Sequence, residues 1–237
     1  MNSNKALLER GIQTIGISVD QSQKDKLDLF LNHVLAENKK FNLTGIKDHR
    51  DAIVKHLLDS LSVSSHIKGR TVVDVGSGAG FPGIPLAITQ PNKKIILVES
   101  KKKKAKFIVM AAKMLELQNT IVFDKRAEEV SLKQGADAII SRALGSLNYF
   151  VEKTKHMLKK DGSLYAMKGK NPESEIRDLN KAWTVAQIKK IDVPYLEAER
   201  HLITITRKHK GGRNHSHCKP KRRGWENHNS GKPVGCP

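Results

Sequence analysis

The chain has 237 residues and a formal net charge of +19, from 43 Lys and Arg against 24 Asp and Glu. That length suits one full α/β domain with an N-terminal elaboration, and the charge points to a polyanionic partner, because each neutralised phosphate releases counterions. No apolar run is long enough for a transmembrane helix and residues 1–11 lack the apolar core of a secretory signal, so no membrane contact is expected.

The first sixty-odd residues read as helices. Leu27, Phe30, Leu31, Val34 and Leu35 recur at helical spacing with Phe41 beyond them, and Ser22 is the expected N-cap. After the turn FNLTGIKD comes a second stripe, Ile53, Leu57 and Leu61, flanked by Val54 and Leu58. Both stripes are read as packing faces. The organisation that follows is an N-terminal helical extension over 1–66, a catalytic domain over 67–207 and a tail over 208–237.

From Thr71 the pattern alternates between strand and helix. The expected strands are Thr71–Val75, Lys94–Glu99, Thr120–Phe123, Ala138–Ser141 and Ser163–Met167. Helices are expected over 82–89, 102–117, 147–159 and 172–183, with Asp161-Gly162 as a turn. Two last strands, near 185–193 and 201–206, have no helix between them and are expected to pair antiparallel at one edge. The implied fold is a mostly parallel, seven-stranded α/β sheet with helices on both faces. Ligands bind such sheets beyond the carboxyl ends of the central strands.

The tail is rich in Lys, Arg, His, Gly, Asn and Pro, and is read as basic and disordered. Cys218 and Cys236 lie there, which leaves the core without a disulfide framework and makes a reducing cytoplasm the expected compartment. His215, His217 and these cysteines match no compact ligand spacing, so no metal is expected.

The most informative stretch is TVVDVGSGAGFPGIP at 71–85. A buried strand runs into Gly76, Gly78, Gly80 and Gly83, and Pro82 opens a helix. Gly78, Gly80 and Gly83 satisfy G-x-G-x-x-G, and Glu99 stands near the spacing of a ribose-binding acid, so a nicotinamide oxidoreductase is one reading. Against it, Asp74 places a negative charge directly before the turn, which repels a pyrophosphate and favours a cationic ligand. The remaining chain also offers no Tyr-Lys pair or His-Asp relay for hydride chemistry.

VDVGSGAGFPGIPLAI resembles the S-adenosylmethionine motif of class I (Rossmann-like) methyltransferases. FNLTGI at 41–46, VKHLLDSLSV at 54–63, RAEE at 126–129, SRAL at 141–144 and MKGK at 167–170 extend the likeness over about 27–207. Together they resemble the RsmG family, also called glucose-inhibited division protein B. The resemblance implies a methyltransferase that uses S-adenosyl-L-methionine to modify N7 of a guanine in the 530 loop of 16S rRNA. By the same resemblance Gly76 and Phe81 belong to the cofactor site, Glu99 holds the ribose hydroxyls, Ala127 and Glu128 contact the adenine, and Arg142 works at the reactive end as the catalytic residue, while Gly78 is expected at the cofactor because the bare backbone of the turn must meet the ligand there. A non-catalytic RNA-binding or assembly factor on the same fold is the third reading. The expected partner is 16S rRNA or the small ribosomal subunit, and a monomer is expected.

The chemistry of such a transfer needs no strong base, because guanine N7 offers a free lone pair and alignment supplies most of the rate. A cytosine-C5 mechanism would need a nucleophilic Cys, and the cysteines here are confined to the tail. Asp74 either braces the glycine turn or eases the charge shift, and His56 and Asp59 share a helix face that bridges to the catalytic domain or lines an RNA pocket. Lys101–Lys104 is a solvated face or an RNA track. Lys168 and Lys170 are candidate RNA contacts, as are Arg222 and Arg223 beside Trp225.

Overall fold

Alternating branched and small apolar residues build the centre of a seven-stranded sheet with the order β3-β2-β1-β4-β5-β7-β6. The strands are β1 (Thr71–Val75), β2 (Lys94–Val98), β3 (Thr120–Phe123), β4 (Ala136–Arg142), β5 (Leu158–Lys168), β6 (Trp183–Lys190) and β7 (His201–Arg207). The first five run parallel. β7 lies antiparallel between β5 and β6, so the expected edge pair is present. The computed structural model describes residues 3–142, 144–170 and 172–208, and Cys218, Arg222, Arg223, Trp225 and Cys236 lie outside those residues.

Alternation along the strands divides the core in two. Val72, Leu97 and Ile140 face one side, where they pack with Ile84 of α5 (Gly83–Thr89), Ile108 of α6 (Lys102–Met114) and the N-terminal helices. Val73, Ile96 and Ile139 face the other, against Phe150 and Val151 of α7 (Leu147–Thr154). Helices therefore cover both faces, as parallel strands buried on both sides require.

At the N-terminus, α1 (Ser3–Ile15) and α2 (Gln21–Phe41) precede α3 (His49–Ala52). α3 continues through a π-helical segment, Ile53–Leu58, into α4 (Asp59–Ser62). Leu27, Phe30, Leu31 and Val34 of α2, and Leu57, Leu58 and Leu61 from the later stripe, are wholly buried in the first core. The expected stripe is correct up to Leu35, but Phe41 at its end is half-exposed.

Several boundaries differ from expectation. Asp20, not Ser22, caps α2: its carboxylate accepts the Gln23 N–H at 2.8 Å, and the Gln23 side chain accepts the Asp20 N–H at 3.0 Å. This reciprocal pair satisfies two end groups where Ser22 would satisfy one. Pro82 stands just before α5 as its cap residue. The helix expected over 147–159 ends at Thr154, because Lys155–Met157 tightens into a 3-10 turn that delivers Leu158 to the sheet. Asp161-Gly162 is not a turn between elements but part of a bulge inside β5, where Leu158 opposes Ala136 and Ser163 opposes Ala138. The helix expected over 172–183 shortens to α8 (Glu173–Arg177), since Trp183 is drawn into β6 with its indole buried beneath the Arg207 guanidinium, 5.1 Å from the ring centre.

Candidate functional site

Strand order reverses beside β1, between β2 and β4, and the glycine turn leaves the sheet at that point. The Gly76 N–H donates to the Val98 carbonyl at 2.9 Å, which keeps the chain on the sheet one residue past the strand. Gly76, Gly78 and Gly80 all take positive φ, at 72°, 58° and 93°. Here glycine is required by the path itself. The turn is anchored by two acids. Glu99 is buried at the end of β2, where one carboxylate oxygen accepts from Gly78 N and the other from Lys101 N, each at 2.8 Å.

Asp74 is the second anchor. Its Oδ2 accepts the Gly83 N–H at 2.9 Å, and its Oδ1 has no hydrogen-bond partner among the described residues. Complete burial pushes its pKa up to about 7, against the opposing pull of the Gly83 N–H and the Arg142 charge. A Cβ at Gly83 would stand 2.7 Å from Asp74 Oδ2 and 2.6 Å from Leu97 Cδ2, so only glycine lets α5 approach β1 and β2 this closely.

A cavity of about 220 Å³ opens over this turn. Val75, Gly76 and Val98 line it from the strand ends, Ala127 and Glu128 from the segment after β3, and Leu144 and Tyr149 from the segment after β4. The Lys153 ammonium, hydrogen-bonded to Glu128, holds that carboxyl below the usual range. The residues present fit S-adenosylmethionine: the side chains of Val75, Val98 and Leu144 for a flat base among the polar Ser100, Arg126 and Glu128, a bare backbone at Gly76 where a Cβ would come within 3.3 Å of Leu144, and the acid Glu99, which braces the turn without lining the cavity.

A second cavity, of about 390 Å³, lies on the other side of the end of β4. Arg142 lines this one as Leu144 lines the first. Asp59, only 2% exposed, holds two arginines there: Oδ2 lies 3.3 Å from Arg142 Nη1, and Oδ1 lies 2.9 Å from Arg200 Nε. Arg142 also donates to the Lys55 carbonyl at 3.0 Å and to His56 Nδ1 at 3.3 Å. That contact makes Nδ1 an acceptor and assigns the ring proton to Nε2, which donates to Thr44 Oγ1 at 2.7 Å. Burial first, and Arg142 second, push the His56 pKa down to about 3, so the ring is neutral.

The loop that carries Thr44 is sewn to α2 by one side chain. Asn38 accepts the Thr44 N–H at 2.9 Å and donates to the Ile46 carbonyl at 3.2 Å. Phe81, expected in the cofactor site, instead turns its ring into the core between two partners. It stacks on His56 at 4.5 Å and meets Phe30 at 5.1 Å, and the Arg142 guanidinium stands 5.6 Å from its centre. Its side chain lines neither cavity. An aromatic ring beneath His56 and Arg142 excludes water there, which an exposed position would not do.

The other expected contacts divide. Lys168 lines the second cavity, but its ammonium is engaged by Glu175 at 2.8 Å and by the Gly145 carbonyl at 2.6 Å. Lys170 is exposed. Lys101–Lys104 splits, because Lys104 donates to the Leu43 carbonyl at 3.0 Å while Lys101, Lys102 and Lys103 are exposed. Arg200 was not legible in the sequence: it follows LEAE in a loop with no periodicity. Tyr149 and Lys153 carried a usable signal, their four-residue spacing on α7, which puts them on one side of the first cavity.

The family model described as "GidB: rRNA small subunit methyltransferase G" matches residues 23–203. The chain is 40% identical over 199 residues to the ribosomal RNA small subunit methyltransferase G of Nitrosococcus oceani, covering 84% of this chain and 93% of that protein. It is 42% identical over 200 residues to the protein of the same name from Xanthomonas euvesicatoria pv. vesicatoria, with 84% and 93% covered. In fold it is similar to the crystal structure of a SAM dependent methyltransferase from Aquifex aeolicus, with a TM-score of 0.53 and 19% identity over 72% of this chain and 97% of that one. The nicotinamide and non-catalytic readings therefore fall away. The chain belongs to the rRNA small subunit methyltransferase G family and is an S-adenosylmethionine-dependent methyltransferase.

Proposed function

We propose that the protein methylates N7 of a guanine in 16S rRNA, with the cofactor in the cavity over Gly76 and the guanine in the neighbouring cavity beside Arg142. The observation that carries this reading is the pairing of the two cavities across the end of β4, with Arg142 at the second and Gly76, Ala127 and Glu128 at the first. When bound, S-adenosylmethionine supplies a methyl group made electrophilic by its sulfonium. Glu99 holds the ribose, and Ala127 and Glu128 flank the adenine.

Guanine carries O6 beside N7 as an acceptor, and an arginine N–H that donates to O6 alone fixes the base and leaves the N7 lone pair free. Asp59 and the Lys55 carbonyl hold Arg142 in place before substrate arrives, so little ordering remains for the encounter. S-adenosylmethionine would supply the methyl group to the N7 lone pair and leave as the neutral thioether, so no residue of this chain has to remove a proton. His56 suits a reaction without a base: it is neutral, and both of its nitrogens are already engaged. Lys170 and the tail arginines Arg222 and Arg223 are proposed phosphate contacts, and the protein is proposed to act as a cytoplasmic monomer.

The test is chemical mapping of 7-methylguanosine in small-subunit rRNA from cells lacking the protein. The modification is expected to be absent, to return with the wild-type chain and to stay absent with Arg142→Ala. Unchanged 7-methylguanosine in the deletion strain overturns the reading.

A further inference from the structure

One feature outside both cavities combines apolar exposure with charge. A groove of about 520 Å³ lies between α2 and α6, lined by Phe41, Phe107 and Met110 and rimmed by Lys40, Lys103 and Lys106. Phe41 is 48% and Met110 51% exposed. The exposure of Phe41 has a local cause: Asn42 ends α2 in the left-handed conformation, at φ 49° and ψ 54°, and turns the chain away just after the ring. Lys103, Lys106 and Met110 follow one another at helical spacing along one side of α6. The acid at the groove, Glu37, is already engaged by Lys40 at 2.8 Å. The lysines of α6 therefore face the groove with no carboxylate among its lining residues left to answer them.

The groove is joined to the site by the chain itself. Phe41 lines the groove, and a few residues later Thr44 holds His56 and Ile46 lines the cavity beside Arg142. Lys104 Nζ clamps the Leu43 carbonyl at 3.0 Å, which fixes the start of α6 against this same loop. An extended polyanion leaving the Arg142 cavity along that loop meets a half-exposed ring, a thioether and two unanswered ammonium groups.

We propose that this groove binds an unpaired stretch of the substrate RNA next to the target guanine. A base stacks on Phe41 and Met110, and phosphates contact Lys103 and Lys106. The proposal rests on the reading that ribosomal RNA is the substrate. Stacking accepts any base and ammonium groups accept any phosphate, so the groove adds affinity and direction without reading sequence.

The test uses the full chain and a small-subunit rRNA transcript, with Phe41→Ala and the double variant Lys103→Glu/Lys106→Glu. All three of these side chains lie outside the two cavities, so S-adenosylhomocysteine affinity by calorimetry is expected to stay at the wild-type value, which also reports that the variants are folded. Phe41→Ala is expected to weaken RNA binding roughly tenfold. The lysine pair is expected to lower the slope of log affinity against log salt by at least about 1.4. Both changes are required: RNA affinity and salt slope that match the wild type in either variant overturn the proposal. A photo-crosslinking amino acid in place of Phe41 is expected to capture RNA, and capture of a protein or of the chain's own C-terminal segment overturns it. A wild-type chain that leaves the transcript unmethylated at N7 refutes the functional reading instead, whatever the variants do to affinity.

Discussion

Asp59 and Arg200 meet at 2.9 Å although 141 residues separate them in the chain. One buried carboxylate thus ties a loop of the sheet's antiparallel edge to the N-terminal helices, and its other oxygen holds Arg142. Asp59→Ala is expected to lower stability by about 1–3 kcal/mol, because it strands two guanidinium groups that are each only about a quarter exposed. Methyl transfer is expected to fall further than stability does. Chemical denaturation and single-turnover kinetics on the same samples check this, and wild-type kinetics in a destabilised variant would reduce Asp59 to a purely structural tie.

The glycine positions separate two effects. Gly83→Ala sets a methyl group against Leu97 and Asp74 and is expected to destabilise by about 2–3 kcal/mol. Gly78→Ala meets nothing nearer than 3.9 Å, so only its φ of 58° opposes it, at about 1 kcal/mol. Gly76→Ala narrows the cavity proposed for the cofactor and is expected to weaken S-adenosylhomocysteine binding at least tenfold by calorimetry, a loss Gly83→Ala need not share once folded. Equal stability of the Gly83 and Gly78 variants would contradict the packing described for α5.

The buried acid and the buried imidazole predict opposite pH slopes. Asp74 is pushed up to about 7 from 3.8, so between those values the folded chain keeps a proton that the unfolded chain has lost, and stability falls as pH rises. His56 is pushed down to about 3 from 6.5, so across that window the unfolded chain binds the extra proton and stability rises with pH. Subtracting the Asp74→Asn curve from the wild-type curve isolates the first slope. The difference is expected to decline by at most about 1.4 kcal/mol per pH unit up to about pH 7, then level. A flat difference from pH 4 to 7 removes Asp74 from the account.

Lys168 and Lys170 stand two residues apart and are expected to behave differently. Lys168 is bound to Glu175, whose Oε2 also accepts the Leu147 N–H at 2.7 Å, so Lys168→Met is expected to loosen the start of α7 and lower stability. Lys170 is exposed, and Lys170→Glu is expected to leave stability within about 0.5 kcal/mol while flattening the salt dependence of RNA binding. The opposite assignment of effects would show that Lys168 is released from Glu175 when RNA binds.

The parts of the fold that could be read from sequence are those where one local signal meets no rival. Thr71–Val75 and Thr120–Phe123 are short runs rich in branched residues, and both form strands with the expected bounds. Reading failed where composition and tertiary demand disagree. Asp161-Gly162 has turn chemistry, yet β5 keeps both residues as a bulge because β4 offers pairing on either side of them. Trp183 continued an apparent helix until burial under Arg207 claimed it for the sheet. At the site, Gly76, Glu99 and Arg142 sit at strand ends, where topology marks positions for function. Arg200 is in a loop, and only folding shows that its partner is Asp59.

Glu99 grips the glycine turn with one oxygen and Lys101, the residue before α6, with the other. Each carboxylate oxygen has a second lone pair, so a diol can be received by that acid without releasing either backbone grip. In the role proposed for it, the same acid would brace the bend and receive a sugar without exchanging one duty for the other.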